Sequence, residues 1–107
     1  MTTFQSHRDN TWRTVAPGVE FCVLRAHGGD GMTLLVRMAA GADARLHDHR
    51  GGEETYIVSG KLRIGERHLV AGDYLWTQPG ESHDGHAEVE TVFFVVLPDG
   101  LQVVEPR

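Results

Sequence analysis

Two imidazoles one residue apart, with a carboxylate four positions on, stand at His47, His49 and Glu53. Imidazole nitrogen and carboxylate oxygen with open positions beside them form the donor set of mononuclear non-haem Fe(II) sites, and the same donors suit Zn, Mn, Ni or Cu. Side chains on extended backbone alternate faces with a period of two. Positions 47, 49 and 53 share a parity, so extended backbone with a regular turn at Arg50–Gly52 aims all three the same way. Glu54 has the other parity and faces away, which makes Glu53 the candidate carboxylate donor.

The elements that must hold these donors are strands. VEFCVLRA (19–26) follows the turn signal Pro17-Gly18, and MTLLVRMA (32–39) follows the glycine-dense turn 27–31. Further strands are expected at 54–59, 62–65, 68–71, 74–78, 89–97 and 101–104, separated by glycine-bearing turns. The run 89–97, VETVFFVVL, is the most apolar and is expected to be buried on both faces at its centre. Residues 79–82 read as a loop presenting His83. No segment carries a 3.6-residue apolar period over two turns, and short strands with turn signals about every ten residues predict an all-β sandwich or barrel. Residues 1–14 read as an N-terminal arm or edge strand, with Trp12 docking on the body, and 15–107 as a single domain.

Composition narrows the function classes. A chain of 107 residues, 40% hydrophobic, holds one ordinary domain with a real core. A formal net charge of -5 recommends neither a nucleic acid nor a membrane surface. The single cysteine, Cys22, cannot form an internal disulfide, which fits a reducing cytoplasm, and it reads as a small buried hydrophobe. The N-terminus has no apolar signal region, and the longest apolar run, Val92 to Leu97, is too short to span a bilayer.

Two stretches together resemble the cupin superfamily. The first is Gly41-x5-His47-x-His49-x3-Glu53-x6-Gly60, which has the spacing of the first cupin motif without a gap. The second, Gly72-x5-Gln78-x-Gly80-x2-His83, has the spacing of the second. It departs in identity at Gln78, where cupins usually carry proline, and at Ala87, where many carry asparagine; neither position is usually a ligand. The resemblance implies a double-stranded β-helix, the jelly-roll-like cupin barrel. It also implies that His47, His49, Glu53 and His83 hold one divalent metal ion inside it, whether Fe, Zn, Mn, Ni, Cu or Co. The run His49-Arg-Gly-Gly-Glu-Glu is similar to the cupin domain of certain anti-sigma factors and of acetylacetone-cleaving dioxygenases.

Other residues have plainer expectations. His7, His27 and His68 read as solvated, as do Arg37 and Arg45, while Arg50 beside the donors could meet an anionic substrate. His86 reads as a rim or surface residue and Gln78 as a turn residue hydrogen-bonding its loop. By parity Leu34, Met38, Thr55, Ile57, Leu75 and Thr77 are candidate walls of a ligand site, and Tyr74 and Trp76 face outward. Exposed paired aromatics mark an interface, so a homodimer is expected. Three functions follow from these readings: a metal-dependent, Fe(II)-type dioxygenase on a small organic molecule, a metal- or ligand-sensing regulatory module, or a non-redox small-ligand binding protein, isomerase or hydrolase. No acid–base dyad apart from the metal donors is evident.

Overall fold

The computed structural model describes residues 1–48, 50–100 and 102–103; for 45–48 and 102–103 it describes backbone alone. A single turn of 3-10 helix, His7–Asp9, precedes eleven strands: β1 (Arg13–Ala16), β2 (Val19–Ala26), β3 (Met32–Met38), β4 (Asp43–Asp48), β5 (Glu53–Ser59), β6 (Lys61–Ile64), β7 (Arg67–Val70), β8 (Tyr74–Thr77), β9 (Ser82–Ala87), β10 (Thr91–Leu97) and β11 (Gln102–Val103). They form two antiparallel sheets. The larger has the order β1-β2-β3-β10-β5-β8 and the smaller β11-β4-β9-β6-β7. This is the expected all-β, double-stranded β-helix architecture. No helix among the described residues is long and apolar enough to cross a membrane.

The crossed order arises because β10 pairs with β3 over its full length on one side and with β5 from Glu54 to Ser59 on the other. Its alternation is strict: Thr91, Phe93, Val95 and Leu97 are buried, and Val92, Phe94 and Val96 are half-covered. Burial on both faces at its centre is therefore corrected to burial on one, the outer face being only half-covered at Val92, Phe94 and Val96. Inward residues from both sheets close the core, with Met38, Ile57, Leu62 and Leu97 essentially inaccessible. At about 25 cal/mol per Å² such apolar burial is the main favourable term in the fold.

On the outer face one lateral row runs through five strands: Cys22 opposite Leu35, Leu35 opposite Phe94, Phe94 opposite Tyr56, and Tyr56 opposite Tyr74. The row goes from a cysteine 1% exposed to aromatics about half exposed, Tyr56 at 46% and Tyr74 at 56%. Cys22 is the buried small residue expected of it.

Several boundaries differ from expectation. The ninth strand, β9, was not anticipated, since SHDGHA carries no β-branched or aromatic residue; its place comes from pairing with β4 and β6 on either side. Val89 and Glu90 bend before β10, and Gln78 lies past the end of β8. At the N-terminus β1 is an edge strand paired with β2, and Trp12 docks as expected, its ring under the Arg37 guanidinium at 4.1 Å. Arg37 also reaches Glu20 at 3.0 Å, so it is not simply solvated. His27 is likewise half-buried, its Nε2 2.8 Å from Thr33 Oγ1.

Candidate metal centre

Glu53 opens β5 in the larger sheet, and His83 is the second residue of β9 in the smaller one. Both turn into the space between the sheets, and their side chains are 8% and 15% exposed. Glu53 Oε1 and His83 Nε2 stand 3.7 Å apart. Two donors each about 2.1 Å from a shared ion lie about 3–3.5 Å from one another. A few tenths of an ångström therefore separate the present arrangement from a ligating one, and the oxygen-plus-nitrogen chemistry suits a divalent ion.

Neighbouring threonines hold the pair. Thr55, fully buried, donates from Oγ1 to Glu53 Oε1 at 2.8 Å. Thr77, directly opposite Glu53 in the β5–β8 ladder, has its Oγ1 3.4 Å from His83 Nε2. Sequence parity placed both threonines in the wall of the site but not their bonds to the donors. The signal was present: Glu53-x-Thr55 at a strand period of two puts the hydroxyl beside the carboxylate on one face.

The other two expected donors are placed less fully. The β4–β9 register sets the His47 backbone opposite His83. The side chain of His47 and all of His49 lie outside the described residues, and among the described residues no three histidine, cysteine, aspartate or glutamate side chains group as a metal site. Glu54 faces away, as parity requires, and accepts a hydrogen bond from Tyr74 Oη at 2.8 Å. That bond, then partial burial, then the charge of Glu54 raise the Tyr74 pKa above its ordinary value.

The turn entering β5 is tightly boxed. Gly52 has φ +83, and a Cβ there would strike the Trp76 ring and stand 2.9 Å from Thr77 O. Only glycine meets both conditions at ease. Trp76 thus has one side toward solvent, 46% exposed, and its far edge against the turn that delivers Glu53.

Glu53 and His83 sit at the wall of a cavity of about 360 Å³ lined from both sheets. Leu34 and Met38 line it as expected. Thr55, Ile57 and Thr77 are buried and Leu75 partly so in the interior nearby, while Phe21, Phe93 and Val95 are wall residues that parity had not singled out. His86 turns to the opposite face of β9, where its Nδ1 is 2.6 Å from Asp43 Oδ1. This is an imidazole–carboxylate pair that the sequence did not reveal, because 43 residues separate the partners. His68 is exposed as expected. Near Gln78 the loop is held through the backbone: Gln78 N donates to Glu81 Oε1 at 3.3 Å, and Glu81 N to Gln78 O at 3.2 Å.

Comparison with known proteins agrees with this architecture. The family model described as the ChrR cupin-like domain matches residues 2–99. No curated protein matches the sequence. Among solved structures, an RmlC-like cupin from Shewanella frigidimarina superposes with a TM-score of 0.83 at 17% identity, covering 94% of this chain and 93% of that one. An acetylacetone dioxygenase from Acinetobacter johnsonii gives 0.83 at 17% identity, covering 98% and 78%. A chain of the Rhodobacter sphaeroides complex of SigE with the anti-sigma ChrR gives 0.76 at 26% identity, covering 86% of this chain and 50% of that one.

Proposed function

We propose, from the premise that the chain belongs to the ChrR cupin-like domain family, that it is a metal-dependent dioxygenase holding one divalent ion through His47, His49, Glu53 and His83. The observation that carries the reading is the approach of the Glu53 carboxylate to the His83 imidazole, 3.7 Å apart and nearly buried at the wall of an apolar cavity. The cupin fold is shared with acetylacetone dioxygenases. An Fe(II) ion bound there would supply open positions for substrate and dioxygen. The chain's own residues do the rest. Glu53 offers a charge-neutralising oxygen whose orientation Thr55 fixes, His83 offers Nε2, and the apolar walls exclude bulk water from the reacting groups.

A second reading, a metal- or ligand-sensing regulatory module, is favoured by the family itself and by the likeness to a chain of the SigE–ChrR complex. Both readings share the metal centre and differ in turnover. The outer aromatic row, with Trp76 and Val58 beside it, supports a homodimer through the larger sheet.

The test is elemental analysis of the purified protein with its Glu53→Ala and His83→Ala variants, followed by oxygen uptake of the Fe(II)-loaded protein. Metal at about one equivalent per chain, lost in both variants, is the expected result. Absence of metal after reconstitution refutes the centre. Metal without oxygen uptake across a panel of small ketones and diketones gives the regulatory reading precedence.

A further inference from the structure

Among the described residues the cavity has one polar end and no other polar side chain in its wall. Seventeen residues line it, and among these Glu53 and His83 are the two with polar side chains; the rest are aliphatic, phenylalanine, methionine, alanine or glycine. The wall backbone belongs to paired strands, so its N–H and C=O groups are largely spent in the ladders. None of the described arginines is among the lining residues: Arg37 is engaged on Glu20, Arg63 on Gly65 and Asp84, and Arg50 is exposed. A hydroxyl, phosphate or carboxylate placed in the body of this space would be desolvated without a partner, at a cost that burial of unpaired polar groups always carries.

We infer that the ligand of this cavity has an uncharged, lipophilic body and a single polar function confined to the Glu53–His83 end, which excludes sugars, polyols and phosphate esters. The inference rests on the reading of the barrel interior as the ligand site, and it names the substrate class that reading leaves open. An engineered cavity of roughly 150 Å³ accepts benzene, so the present volume suits a ligand of roughly a dozen non-hydrogen atoms. Val15 lines the space while 59% exposed, which puts it at the rim and makes the β1 edge one side of the entrance.

Three probes of similar ring size separate the alternatives: cyclohexyl methyl ketone, its ring-carboxylated analogue and myo-inositol. Each is titrated into chelator-stripped, isotope-labelled protein while amide shifts are followed. The ketone is expected to move the amides of Leu34, Phe93 and Val95 and to bind at least tenfold more tightly than either of the others. The Val95→Thr variant, which keeps the volume and adds a hydroxyl to the wall, is expected to weaken the ketone severalfold, with native amide dispersion reporting that it folds. Equal or tighter binding of inositol or the carboxylated analogue overturns the inference, as do shifts confined to residues outside the cavity or no binding by any probe. Because the protein is metal-free, these outcomes are independent of elemental analysis: a cavity that prefers the ketone in a protein that never holds metal refutes the metalloenzyme and leaves the ligand class standing.

Discussion

Thr55 Oγ1 donates a 2.8 Å hydrogen bond to Glu53 Oε1 from two residues along the same strand, with both side chains buried between the sheets. The bond favours one orientation of the carboxylate about its last torsion. Partners of metal ligands typically govern affinity by tenfold to a hundredfold. The Thr55→Val variant is therefore expected to lower metal affinity by about that factor in competition with a chelating dye, and Thr55→Ser to restore most of it. Unfolding of the metal-free Thr55→Val protein is expected to show a loss of about 1–3 kcal/mol, since a buried acceptor loses a donor.

Gly52 ties the turn before Glu53 to Trp76. Alanine there combines positive φ with collision against the indole and the Thr77 carbonyl. Gly52→Ala is expected to destabilise the protein by about 1–3 kcal/mol in a denaturant melt. Trimming the ring with Trp76→Ala in the same chain is expected to recover only part of that, because the backbone clash and the φ penalty remain.

The Tyr74–Glu54 bond has a pH signature. Its donor is the neutral phenol, so the folded-state pKa is raised. The stabilisation is fully present below the ordinary tyrosine pKa and disappears as pH rises through the higher folded value. In Glu54→Gln the Tyr74 titration, followed by phenolate absorbance against a Tyr74→Phe blank, is expected to move down toward the ordinary value. An unchanged midpoint would show that the carboxylate has no hold on the phenol.

The outer row predicts assembly. With Tyr56, Tyr74, Trp76 and Val58 all about half exposed on one sheet face, a homodimer is expected by light scattering at micromolar concentration. Tyr56→Lys, placed mid-row and away from the donors, is expected to give monomers with the same metal content.

Much of the fold was legible because its strongest signals are local. Glycine-punctuated apolar runs located most of the strands, and Tyr74 and Trp76 face outward as their alternation with Leu75 and Thr77 requires. What escaped is what depends on distant neighbours. The polar strand β9 is a strand because β4 and β6 flank it, and His86 finds Asp43 only through that pairing. Of the site, parity singled out Glu53 and the resemblance to the second cupin motif added His83; the hydroxyls beside them were visible as wall residues but not as donors, since a sequence does not state which way a threonine turns its oxygen.

Glu53 belongs to one sheet and His83 to the other, so their 3.7 Å separation is also a gauge of how closely the two layers are seated. An ion held between them would act as a rivet through the sandwich. Whatever spreads the layers, whether heat, a bulky guest or a partner pressing on the outer face, would be felt first as a change in grip on that ion.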